Sequence, residues 1–141
     1  MINVAIAGFG WWGQHMVRRL KSHPVINVRV VIDPADDRRA LIEEQGLQAA
    51  ADFDAALADP AIDAIILTTP NTMHESQVVA TAAAGKHVFC EKPLGLTGQS
   101  ARNSVAACQA AGVVLGIGNE RRFEPALQRV RALVEEGALG T

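Results

Sequence analysis

The sequence predicts an α/β protein, a doubly wound parallel sheet of about six strands with helices on both faces. Three observations carry that expectation. Short apolar runs alternate with stretches of helical spacing along all 141 residues. The first apolar run leads directly into a glycine-rich turn that opens a helix. No repeat, low-complexity stretch or linker interrupts the alternation, so one domain is expected over 1–141. Right-handed crossovers force consecutive βαβ units into a parallel sheet.

Ile2–Ala7 is nearly all apolar, as a strand covered on both faces must be. Trp11–Ser22 follows with helical spacing. In Val25–Ile32, Asn27 and Arg29 alternate with Ile26, Val28 and Val30, which places this strand nearer an edge. Pro34–Gln45 reads as a helix stopped at Gly46, with Asp33 suited to cap it and Pro34 to begin it. Leu47–Ala51 is a short, weak strand before a helix around Phe53–Ala58. Ile62–Thr68 is an apolar strand, and Asn71–Ala84 a helix closed by Gly85, with Asn71 a good cap. His87–Cys90 is a strand, Thr97–Ala111 a helix closed by Gly112, and Val113–Ile117 the last strand. A final helix runs from about Glu124 to Glu136 with Pro125 in its first turn. Phe123, Leu127, Val130 and Val134 give it one apolar face.

Composition narrows the function. With 49% apolar and 20% charged residues, the chain has a core and is neither disordered nor collagenous. A net charge of −2 supplies no basic field for nucleic acid. Cys90 and Cys108 are not spaced as a metal knuckle or a CxxC pair, which points to a reduced compartment. Met1 runs straight into Ile2-Asn3-Val4 without a basic segment, and no apolar run reaches the ~20 residues of a membrane span. A cytoplasmic location, away from membranes, is expected. Tyr is absent, which excludes chemistry needing a tyrosine acid within this chain, as in short-chain dehydrogenases.

Gly8-Phe9-Gly10-Trp11-Trp12-Gly13 reads G-x-G-x-x-G after the first strand and at the opening of the first helix. There the first glycine permits the turn, the second admits a pyrophosphate, and the third lets helix and strand pack closely. The helix N-terminus offers free N–H groups to phosphates. Asp33, 20 residues after Gly13, ends the second strand, where a carboxylate accepts from adenosine ribose hydroxyls. It would repel a 2′-phosphate, favouring NAD over NADP; Arg38 and Arg39, close by in sequence, weaken that preference. A phosphate loop of the nucleoside-triphosphatase kind fails at Gly85-Lys86-His87. Ala80 stands in place of the earlier glycine, and Lys86 falls at a helix end.

Ligands of an open parallel sheet bind beyond the carboxyl ends of its strands. Three polar clusters converge there: Thr68, Thr69, Pro70, Asn71 and His74; then Glu91, Lys92 and Pro93; then Asn119, Arg121 and Arg122. Beside a nicotinamide, Lys92 would hydrogen-bond a substrate hydroxyl and relay its proton. Pairing with Glu91 or simple solvation accounts for Lys92 equally well.

In this order, the glycine loop, Thr69-Pro70-Asn71 with His74, Gly85-Lys86-His87-Val88 and Glu91-Lys92-Pro93-Leu94 resemble the Gfo/Idh/MocA family, as do Arg122-Phe123 and Pro125. The resemblance implies a Rossmann domain holding NAD or NADP, and hydride chemistry on sugars, cyclitols or related hydroxy compounds. It places Gly8, Phe9, Gly10, Trp11, Trp12, Gly13, Asp33, Arg38, Thr68, Thr69 and Pro70 at the cofactor. Glu91, Lys92 and Pro93 would lie beside the nicotinamide, with a cis Lys92–Pro93 bond and Lys92 as catalytic residue. Asn71 and His74 would line the nicotinamide-ribose side, with Asn119 and Arg122 near the pocket floor. It also implies a second, substrate-holding domain, toward which residues 123–141 would lead. No metal site is expected. Pairing of copies through apolar surface left without a partner is expected. A non-catalytic dinucleotide-binding or regulatory module is the alternative reading.

Overall fold

The structure, a computed structural model, describes residues 1–140; Thr141, included in the expected domain, lies outside the described residues. Six parallel strands form one sheet in the order β3-β2-β1-β4-β5-β6. They are β1 (Ile2–Ala7), β2 (Ile26–Ile32), β3 (Ala49–Ala50), β4 (Ala64–Leu67), β5 (His87–Cys90) and β6 (Leu115–Ile117). The helices are α1 (Trp11–Leu20), α2 (Asp36–Glu44), α3 (Phe53–Ala58), α4 (His74–Ala83), α5 (Gly98–Ala111) and α6 (Pro125–Glu135). The strand order reverses between β1 and β4, and that switch point opens a crevice at the carboxyl ends.

Alternation along β1 sorts its residues into two cores. Val4 and Ile6 join Phe9, Val17, Val31 and Ile42 on the face covered by α1 and α2. Ala5 and Ala7 join Ile65, Leu67, Val78, Ala82 and Cys108 on the face covered by α3, α4 and α5. Cys90 packs in this second core as a small hydrophobe, and burial pushes its thiol up to about 12.

Several boundaries differ from expectation for identifiable reasons. The helix expected from Pro34 begins at Asp36, and Ala35 rather than Asp33 stands at its cap. The Asp33 side chain is turned away: Oδ2 accepts from Phe9 N–H at 2.8 Å and Oδ1 from Ala35 N–H at 3.1 Å. Asn71 does not cap α4; it begins a single 3₁₀ turn, Asn71–Met73, that precedes it. The strand expected from Leu47 narrows to two residues. At the other end of the sheet Lys86 is buried, donating to Asp59 O at 2.7 Å and Ile62 O at 2.8 Å. It therefore pins the turn before β4, at the end of the sheet opposite the glycine loop. α6 buries no residue and packs on the turn Glu120–Phe123. Among the described residues no helix is long and apolar enough to cross a membrane.

Candidate functional site

The three glycines of the first loop answer to three constraints. Gly8 sits at φ +92°, and a Cβ there would lie 2.8 Å from Thr68 O, because the loop rests on the end of β4. Gly13 is buried, and a Cβ there would collide with Gly8 O, so helix and strand could not approach. Gly10 is different. A Cβ on it would meet no protein atom within 4 Å, and its φ of −68° suits any residue. The space beside Gly10 is open, and a side chain there would occupy it. Gln14 N–H makes the bond to Gly10 O at 3.0 Å, so the amides of Trp11, Trp12 and Gly13 precede the first intrahelical bond. Gly10 contributes no side-chain cap, and the first turn carries no acid to neutralise this positive end.

The loop is tied down from below. The Thr68 hydroxyl lies 2.8 Å from Gly8 O and 3.0 Å from Ala7 O. Arg38 Nη1 donates to Phe9 O at 2.7 Å, and Asp33 receives Phe9 N–H. Phe9 itself has no exposed surface. Its expected place at the cofactor is therefore corrected: its ring belongs to the core, and its backbone anchors Asp33 and Arg38. Arg39 is committed to Asp33 O at 3.1 Å, Pro34 O at 2.7 Å and the Asp36 carboxylate. Gly8, Asp33, Pro34, Phe53, Thr69 and Pro70 are among the residues lining a cavity of about 360 Å³ at the β1–β2 side of the crevice. Ala51, Phe53, Met73 and Gln77 also line it, reaching it from the β3–α3 turn, the start of α3, the 3₁₀ turn and α4, an approach that no local motif signals.

At the β4–β5 side, His74 is fully buried rather than lining the crevice. Nδ1 lies 2.6 Å from Pro93 O and Nε2 lies 3.0 Å from Thr69 O. Both partners are carbonyls, so one ring proton satisfies one contact and the doubly protonated ring satisfies both. The ring clamps the turn after β4 to the turn after β5, whose Lys92–Pro93 peptide is cis. Thr69 Oγ1 donates to Gln77 Oε1. Asn71 and Pro70 are exposed at the rim.

Glu91 is buried, in a space that exists because residue 118 is glycine: a Cβ on Gly118 would lie 2.6 Å from Glu91 Oε1. Its Oε2 accepts from Lys92 N–H at 3.3 Å. Burial raises the Glu91 carboxyl above the ordinary range and the Glu120 charge adds to this, while the Lys92 N–H, Lys92 and His74 pull it down. Lys92 is exposed and makes no ion pair with Glu91; its Nζ lies 5.7 Å from the centroid of Trp12. A cavity of about 420 Å³ joins Lys92 to Asn119, Glu120, Arg121 and Arg122. Asn119 and Arg122 are exposed, at its rim rather than its floor. Thus the chain gathers the β1, β2, β4, β5 and β6 ends along one edge of the sheet.

Residues 2–119 match the family model described as the oxidoreductase family with an NAD-binding Rossmann fold. The chain belongs to the Gfo/Idh/MocA family. Among curated relatives, it is 33% identical over 140 residues to the 2,7-anhydro-N-acetylneuraminate hydratase of Escherichia coli, covering 99% of this chain and 37% of that protein. It is 34% identical over 143 residues to the inositol 2-dehydrogenase of Mycolicibacterium smegmatis, covering 99% of this chain and 41% of that protein. The crystal structure of GenD2 from gentamicin A biosynthesis, in complex with NAD, superposes with a TM-score of 0.90 at 30% identity, covering 97% of this chain and 40% of that one. A probable dehydrogenase from Thermotoga maritima gives 0.87 at 30% identity, covering 99% and 42%. The chain therefore spans about two fifths of the length of these relatives, and the part it spans is the NAD-binding domain of this oxidoreductase family.

Proposed function

We propose that this domain binds NAD in preference to NADP and serves an oxidoreductase that moves a hydride between the cofactor and a carbinol carbon of a sugar, cyclitol or related hydroxy compound. The observation that carries the reading is Gly10: glycine stands where neither backbone conformation nor protein packing requires it, at the bare N-terminus of α1. A pyrophosphate in that room accounts for the glycine and takes up the free amides. The Asp33 carboxylate, held by two N–H donors, keeps lone pairs for ribose hydroxyls. Arg38 and Arg39 have guanidinium N–H groups committed to backbone oxygens, which leaves the Asp33 charge to oppose a 2′-phosphate.

When bound, the nicotinamide supplies the hydride donor or acceptor. The chain's own residues do the rest. Asp33 and the glycine loop orient one end of the dinucleotide, and the His74 clamp sets the Lys92–Pro93 turn. The Lys92 amine holds the substrate hydroxyl and passes its proton, while Asn119 and Arg122 border the cavity that Lys92 faces. Because the relatives are more than twice as long, covered only to 37% and 41%, we assign the residues that choose the substrate to a further domain reached through α6.

Trp11 and Trp12, the two tryptophans of the chain, both lie in the loop and report binding. Titration with NADH should quench their fluorescence saturably. An unchanged spectrum to millimolar NADH would contradict the reading. Asp33→Ala should narrow the preference for NAD over NADP, and an unaltered ratio would remove Asp33 from the ribose site.

A further inference from the structure

We propose that this domain itself sets one property of the substrate, its charge: Arg121 and Arg122, with Lys92, form a subsite for a single oxyanion, a carboxylate or a phosphate, carried by the hydroxy compound. The inference rests on the oxidoreductase reading above and deepens it. A further domain would choose the shape of the substrate, and the end of β6 chooses its charge. The cavity of about 420 Å³ is lined by Lys92, Asn119, Glu120, Arg121 and Arg122, so three cations and one carboxylate share its wall. Its size is that of a small-molecule site. Lys92 follows β5, whereas the arginines stand on the 3₁₀ turn Glu120–Phe123 after β6. Parallel pairing of Cys90 with Ile117 sets the two strand ends side by side.

The turn that carries the arginines is closed by its own backbone, with Arg122 N–H donating to Asn119 O at 3.3 Å and Glu124 N–H to Arg121 O at 3.0 Å. Arg122 Cζ lies 6.0 Å from the centroid of the Phe123 ring, a cation–π distance. Among the described residues neither arginine has an ion-pair partner, although Glu120 is adjacent in sequence. Arg38 and Arg39 differ, being committed to backbone oxygens and to Asp36. Arg121 and Arg122 therefore keep planar forks that match a carboxylate or a phosphate through two parallel hydrogen bonds. In the reading above the Lys92 amine holds the reacting hydroxyl, and whatever else fills the same cavity is the same molecule. A neutral compound there would strip water from three cations and return no counter-charge; an oxyanion offsets that cost. The cofactor pyrophosphate does not supply it, since its place is beside Gly10 at the start of α1.

The test titrates D-gluconate, D-glucose 6-phosphate and neutral D-glucose into the chain saturated with NADH, read by nicotinamide fluorescence, and into the chain alone, read by calorimetry. At least one of the two anions should bind about tenfold tighter than glucose, and the tighter of the two identifies a carboxylate or a phosphate. Replacing both arginines, Arg121→Gln with Arg122→Gln, should erase that preference and leave NADH affinity within about twofold. Arg18→Gln, which removes a cation of α1 outside the cavity, should leave the preference intact. Equal binding of all three probes, or none, would overturn the proposal. So would a preference that survives loss of both arginines, or one that Arg18→Gln reduces as much. A double variant that loses NADH as strongly as the anion would also overturn it, by assigning the arginines to the cofactor. If the double variant fails to fold, Arg121→Gln alone decides. Failure of NADH to bind the wild type would instead overturn the dinucleotide reading, while the calorimetric titration still reads the anion preference.

Discussion

At the scale of single residues, the site is organised by what small or buried groups permit. Gly13 and Gly118 are absences that make room, the first for Gly8 O and the second for the Glu91 carboxylate. Gly13→Ala should destabilise the domain by about 1–3 kcal/mol in chemical denaturation, because the new methyl meets backbone that cannot yield. Glu91 gives a pH prediction with a definite sign. Its carboxyl is raised in the folded state by burial, so its contribution is most favourable below the unfolded value and is lost as pH rises through the folded one. The stability of the wild type relative to Glu91→Gln, measured by urea denaturation across pH, should therefore fall from acid toward neutral pH. A difference that grows with pH would contradict the burial account. Glu91 was readable as a site residue from its place after β5. That it is buried and paired with a glycine near the end of β6 was not, since nothing local links residues 91 and 118.

At the scale of elements, periodicity located all six strands and six helices, and the differences arise where a side chain turns to a distant partner. Asp33-Pro34 has the local form of a cap, yet the carboxylate is drawn to Phe9 across the sheet edge. His74 has the local form of a first-turn histidine at a rim, yet its ring enters the interior to join Thr69 and Pro93. Phe9 lies within a ligand loop in sequence and within the core in space. Lys86 belongs with these: its two buried carbonyl contacts tie β5 to the turn before β4. Lys86→Met should cost about 2–3 kcal/mol in thermal or urea denaturation by leaving both carbonyls unpaired. NAD affinity should be unaltered, since Lys86 is at the opposite end of the sheet from the crevice. α6 presents the reverse case, an amphipathic helix with no buried residue, so its amides should exchange with solvent faster than those of α4 or α5.

At the scale of the molecule, the two faces are unequally covered. α3, α4 and α5 close one face, whereas α1 and α2 leave Phe89 and Ile117 beside an open groove. Phe123, which lines that groove, and the Leu127, Val130 and Val134 stripe of α6 are exposed. Apolar surface of this kind favours association. Light scattering should show mass rising with concentration, and Val130→Lys should reduce the rise. A constant monomer mass would contradict that expectation.

The fold, the family and the bare α1 N-terminus meet at one claim, that the room beside Gly10 exists for a pyrophosphate. The most direct measurement is calorimetric titration of NAD⁺ into the wild type and Gly10→Ala. The substituted chain should keep the wild-type melting temperature to within a few degrees, because the new methyl touches no protein atom within 4 Å. It should lose at least about tenfold in affinity. Undiminished NAD⁺ binding by a folded Gly10→Ala would contradict the account.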